Sequence, residues 1–272
     1  MKKSKLSAVF LTACMAATLL AGCGDKKTET TEATTEATTE AATEAATTTE
    51  ATVADATASE AEDDENYETG DASLDNVRNQ DEIGDNELLV VSFGTSFNDS
   101  RRLTIGAIEG KLDEEFGKDY SVRRGFTSQI IIDHVKSRDG IAIDNMTEAL
   151  DRAVDNGVKN LVIQPTHLMN GLEYTDVVNE VGDYADAFDQ VVIGDPLLTS
   201  DEDFDEVVKA ITDATAEYDD GETAICFMGH GTEADSNEVY QKMQDKLTDA
   251  GFENYFVGTV EATPSVDDVL AK

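Results

Sequence analysis

Basic residues are scarce in this chain. Twenty Lys and Arg stand against 58 Asp and Glu, for a formal net charge of -38. Nucleic-acid binding needs a basic face to neutralise phosphates, so no nucleic-acid partner is expected. Tryptophan is absent, and proline, cysteine and histidine occur three times each among 272 residues. So few cysteines exclude a disulfide-stapled fold. Cys14 lies within an N-terminal apolar run and Cys23 just after it, which leaves Cys226 as the one thiol of the chain body and excludes a disulfide there. Cys226 sits in the apolar stretch Thr223 to Met228 and reads as a small buried hydrophobe rather than a nucleophile.

The apolar run from Leu6 to Leu20 is shorter than the ~20 residues a membrane-spanning helix needs. Lys2, Lys3 and Lys5 precede it and Leu20-Ala21-Gly22-Cys23 follows. A basic start, a short apolar centre and small residues before a cysteine read as a lipoprotein signal. The expectation is a signal peptide over 1–22, a lipid-modified Cys23, and an exported protein held at the cell membrane, facing away from the cytoplasm. Thr, Glu and Ala repeat from Thr28 to Ala61, with no aromatic between Cys23 and Tyr67. Such a stretch buries too little apolar surface to offset the entropy of ordering. Residues 23–86 are therefore expected to be a lipid-anchored, disordered spacer.

From residue 87 the pattern changes. Leu88 to Ser92, Ser121 to Thr127, Leu161 to Ile163, Val191 to Ile193, Ala224 to Met228 and Tyr255 to Val260 read as strands. Helical spacing lies between them, over 99–116, 128–138, 147–156, 172–187, 202–217 and 235–250, with a further short start at 265–270. Strands alternating with helices predict an α/β domain of parallel βαβ units over 87–272.

Four polar motifs fall at the carboxyl ends of these strands, the edge where open α/β sheets bind ligands. Ser92-Phe-Gly-Thr-Ser96, with Gly94 and Thr95 inside it, follows the first strand. Gln164-Pro-Thr-His167 follows the third, Gly229-His230-Gly231-Thr232 the fifth, and Glu261 the sixth. His167 fits either a loop histidine or a site residue. Gly229 and Gly231 fit either a tight turn or close approach of a large flat ligand. His230 with Glu261 fits a borderline divalent metal such as cobalt, nickel, zinc or iron, though two ligands are few for a tight site. His134 lies in a helical stretch and reads as structural. Arg101, Arg102, Arg123 and Arg124 are either compensation for an anionic ligand or solvated surface charges.

Taken together these motifs resemble the anaerobic sirohydrochlorin cobaltochelatases, a class II tetrapyrrole chelatase family. The resemblance runs in order through Val90-Val-Ser-Phe-Gly-Thr-Ser-Phe-Asn-Asp-Ser100, Phe126-Thr-Ser128, Arg138-Asp-Gly-Ile141, Gln164-Pro-Thr-His-Leu-Met-Asn-Gly-Leu-Glu-Tyr174, Pro196-Leu-Leu198, Phe227-Met-Gly-His-Gly-Thr232 and Val257-Gly-Thr-Val-Glu-Ala-Thr-Pro264. It implies two lobes of parallel sheet with a tetrapyrrole in the cleft between them. It also implies insertion of Co2+, with Ni2+ or Fe2+ as other metals, into sirohydrochlorin during anaerobic cobalamin synthesis. No nucleotide is implied. The family's metal-binding His and Glu correspond to His230 and Glu261, with His230 also accepting a proton. Ser92, Gly94, Thr95, Ser96, His167, Gly229 and Gly231 correspond to the cleft.

A further family histidine, from a later segment, has no counterpart before Lys272. The expectation is therefore a family member with an incomplete second lobe, its third metal ligand supplied from elsewhere, a second copy of the chain included. Cobalamin synthesis is cytoplasmic, so export leaves two alternatives open: a non-catalytic tetrapyrrole- or metal-binding lipoprotein, and an inactive fragment.

Overall fold

In the computed structural model the described residues are 69–271, so the signal peptide, Cys23 and most of the expected spacer lie outside them. Four parallel strands form one sheet in the order β2-β1-β3-β4: β1 Asn86–Ser92, β2 Ser121–Phe126, β3 Asn160–Pro165 and β4 Gln190–Ile193. Two more, β5 Ile225–Gly229 and β6 Tyr255–Thr259, form a second parallel sheet. The expected two-part α/β architecture is the one observed.

β1 is central in the first sheet and buried from Glu87 to Ser92, as a parallel strand with both faces covered should be. One face sends Leu89, Val91, Leu161 and Ile163 against α4 (Met146–Asp155) and α5 (Leu172–Tyr184). The other sends Leu88, Val90 and Val122 against Leu112 and Phe116 of α2 (Ile105–Phe116). α3 (Gln129–Asp139) adds Ile132 and Val135, which pack on Phe126. The second sheet has its own core: Ile225, Tyr255 and Val257 pack on α6 (Asp201–Thr215) and α7 (Glu238–Asp249). α8 (Val266–Leu270) closes the chain against β6. Reciprocal capping boxes at Asn145/Glu148, Ser200/Asp203 and Ser265/Asp268 fix where α4, α6 and α8 begin.

The structure departs from the sequence reading in several places. The helix expected over 99–116 is two, α1 (Asn98–Leu103) and α2, broken at Thr104, whose hydroxyl bonds the carbonyl of Ser100 at 2.7 Å. The helix expected over 235–250 starts with a 3-10 turn, Asp235–Asn237. Cys226 is exposed, not buried. With period two, Ile225 and Phe227 face α6 and α7, which leaves Cys226 and Met228 on the face where α8 reaches only the Gly258 end.

A further departure concerns the arginines. Arg101, Arg123 and Arg124 are fully buried ion-paired residues, not surface charges or ligand compensation. Neighbours on β2, Arg123 and Arg124 point to opposite faces of the sheet. Arg124 forks onto Glu109 (2.7 Å twice) and onto both oxygens of Asp75 (2.7 and 3.0 Å), and Arg101 donates to the same Asp75 at 2.7 Å. Arg123 bonds Glu87 at 2.8 Å and Asp144 at 2.7 Å, and Arg152 also grips Asp144. Arg78 and Asp81 join the two networks through Glu109 and Arg152. Residues 71–85 are thus fastened to the domain, and the packed region starts before Glu87.

Asp75→Ala leaves two buried guanidinium groups short of a partner. It is expected to cost about 3–5 kcal/mol of unfolding free energy, read from urea denaturation of the full chain. Burial pushes the Glu87 carboxyl up to about 7 against the opposing pull of Arg123. Between its ordinary 4.5 and about 7 the folded chain holds a proton that the unfolded chain has lost. The stability due to this group is therefore full below the window and declines as pH rises through it. Glu87→Gln should flatten that decline in denaturation curves taken across the window.

Candidate active site

β5 and β6 carry their pairing past the regular strands. After the Gly229–Thr259 pair, the Val260 N–H donates to the Gly229 carbonyl at 3.1 Å and the Glu261 N–H to the His230 carbonyl at 2.9 Å. These two bonds set His230 and Glu261 side by side, with Nδ1 of the imidazole 3.7 Å from Oε2 of the carboxylate. Both side chains are exposed, 76% and 65%. Nδ1 also lies 3.2 Å from the Gly231 carbonyl. An N–H at Nδ1 suits two oxygen acceptors, which leaves Nε2 with a free lone pair.

The glycines around His230 are steric requirements. Gly231 has φ +89°, and a Cβ there would meet Ala262 at 2.8 Å. A Cβ on Gly229 would fall 2.1 Å from the ring of Tyr240. The site strand therefore lies directly on α7, and the chain can turn back to present His230 only without side chains at its neighbours.

His230 and Glu261 face a cleft of about 610 Å3 whose other wall comes from the first sheet: Phe93 after β1, His167, Leu168 and Met169 after β3, and Leu172 and Glu173 at the start of α5. The His167 side chain is 7% exposed, and neither ring nitrogen has a hydrogen-bond partner. Burial holds its pKa below the ordinary imidazole value. Nε2 lies 3.9 Å from Oε2 of Glu173. Burial raises the Glu173 carboxyl, and His230 pulls it back down, an electrostatic link across the cleft. The buried hydroxyl of Ser236, on the second wall, is likewise unpaired. Buried polar atoms without partners are uncommon, and a ligand in the cleft would satisfy them. Among the described residues the lining holds three carboxylates, Glu173, Glu233 and Glu261, and no Lys or Arg. Among the described residues no three His, Cys, Asp or Glu stand together as a ready metal site.

Of the residues singled out from sequence, the cleft gathers His167, His230, Gly231 and Glu261. Ser92, the last residue of β1, is buried and accepts a bond from Thr166 at 2.8 Å. Gly94 packs on Phe126. Thr95 and Ser96 offer their carbonyls to Arg101 and Arg138. Gly229 lies behind His230 against Tyr240. The other lining residues went unread, among them Phe93 and Glu173, although both lie inside the motifs Ser92 to Ser96 and Gln164 to Tyr174.

The family model described as cobalt chelatase (CbiK) matches residues 86–272. The chain belongs to the cobalt chelatase family. Among its curated relatives is the sirohydrochlorin cobaltochelatase of Salmonella typhimurium, 36% identical over 183 residues that cover 67% of this chain and 68% of that protein. Another is the sirohydrochlorin cobaltochelatase CbiKC of Nitratidesulfovibrio vulgaris, 24% identical over 202 residues, or 73% and 70% of the two chains. Within this chelatase the His230–Glu261 pair depends on its glycines. Gly229→Ala should overpack α7, costing about 1–3 kcal/mol in thermal or urea unfolding.

Proposed function

We propose that this chain inserts Co2+ into sirohydrochlorin, with His230 and Glu261 holding the metal at the cleft. The observation that carries this reading is the pairing of Glu261 with His230 on the extended β5–β6 ladder, facing a ligand-sized cleft in a member of the cobalt chelatase family. Neutral imidazole and carboxylate suit Co2+, and equally Ni2+ or Fe2+. Two protein ligands on this wall, with a third from elsewhere, leave the remaining positions to water, so the ion is held loosely enough to be handed to the ring. Phe93, Met169 and Leu172 give the ring an apolar wall. A third metal ligand comes from outside the described residues, with a second copy of the chain as one source. Acylation at Cys23 anchors the protein at the membrane, outside the cytoplasm.

The test is sirohydrochlorin absorbance with Co2+, Ni2+ and Fe2+ in turn, using the full chain in detergent. Insertion is expected with Co2+ and is expected to be lost in His230→Ala. Ring binding without insertion would instead make the protein a carrier. Cys23→Ala is expected to move the protein from the membrane to the soluble fraction of fractionated cells.

A further inference from the structure

Insertion of a divalent metal into a tetrapyrrole releases two pyrrole protons, and something must take them. His230 is poorly placed to do so while it holds the ion. Its Nδ1 faces two oxygen acceptors, so Nε2 offers the one lone pair, and a lone pair bound to a metal cannot accept a proton. The opposite wall supplies a better base. His167 follows β3 and is held in place by backbone bonds at its carbonyl, from Leu197 at 3.0 Å, and at its neighbour Thr166, to Val91 at 2.8 Å. Its side chain is more than nine-tenths buried, lines the cleft and has both ring nitrogens unpaired and shielded from bulk water.

We infer that His167 accepts the pyrrole protons of the ring while His230 and Glu261 hold the metal across from it. The inference rests on the chelatase reading above. In each step a pyrrole N–H bond breaks and its electron pair stays on the ring nitrogen to form the nitrogen–cobalt bond. The proton joins the free lone pair of the neutral imidazole. The Glu173 carboxylate, 3.9 Å away and 55% exposed, stabilises the imidazolium and passes the proton to water, and the second proton follows the same route. The other titratable groups lining the cleft with His167 are Tyr174 of α5, His230 and Glu233 after β5, and Glu261 after β6. Burial holds the His167 pKa below the ordinary imidazole value, which favours the neutral form a base needs.

The experiment is steady-state turnover of the full chain with sirohydrochlorin and Co2+ across pH, beside Co2+ calorimetry and thermal melting. His167→Gln keeps an amide of similar reach, so a structural role would survive it. The expected result is a kcat lower by about 100-fold or more, with the KM for Co2+, Co2+ binding and the melting temperature unchanged. Added imidazole should restore part of the turnover of His167→Ala. Glu173→Gln removes the charge that favours the imidazolium and should move the acid limb of the pH profile to lower pH. If His167→Gln does not melt cooperatively, that limb decides. A kcat for His167→Gln within about twofold of the unaltered chain, or an unmoved limb in Glu173→Gln, overturns the assignment of His167 and leaves the chelatase reading standing. No turnover by the unaltered chain overturns both.

Discussion

The fold rests on an unusual use of charge. A chain with a net charge of -38 brings Asp75, Glu87, Glu109 and Asp144 inside, and two adjacent arginines on β2 make that tolerable. Each takes one face of the sheet. Buried carboxylates without partners would cost several kcal/mol apiece, and guanidinium pairing, two-pronged at Asp75, Glu109 and Asp144 and single at Glu87, offsets that cost. The same pairs fasten residues 71–85 beside β1 and β2. They therefore decide where the domain starts, and they hold the strand next to the one from which Phe93 enters the cleft.

The site depends on a different constraint. Two backbone bonds beyond the end of β5 and β6 fix His230 against Glu261, while His167 is fixed by the end of β3 on another sheet. Backbone pairing is far stiffer than side-chain contact, so each half of the site is well placed within its own wall. The chemistry divides along the same line. The exposed pair can meet an ion arriving from water, and the buried histidine keeps a neutral lone pair for a proton.

Much of this was legible in the residues. Every strand lay within a residue or two of its sequence signal, clearest in β1, which is buried on both faces and carries a continuous apolar run, and weakest in β2, which holds Arg123 and Arg124. His167, His230 and Glu261 were found by their position at carboxyl ends of strands. The burial of Arg123 and Arg124 was not readable, since their partners Glu87 and Asp75 lie 36 and 49 residues away in sequence and local patterns carry no such pairing. Ser92 misled for a related reason: its position at a strand end is right, but its hydroxyl turns inward to Thr166. Glu173 was missed because one acid on a helix face looks solvated until the fold sets it beside a buried imidazole.

The two walls of the cleft belong to separate hydrophobic cores, one around Leu89, Leu161 and Ile163, the other around Phe204, Leu247 and Tyr255. The gap between them is crossed by connecting segments, of which Gly194 to Ser200 is one, and Met169 of the first wall packs on the second core. Divergence can therefore act on the width and rim of the cleft through loop length and sequence while both cores stay intact. A lineage could retune which macrocycle is admitted without passing through poorly folded intermediates.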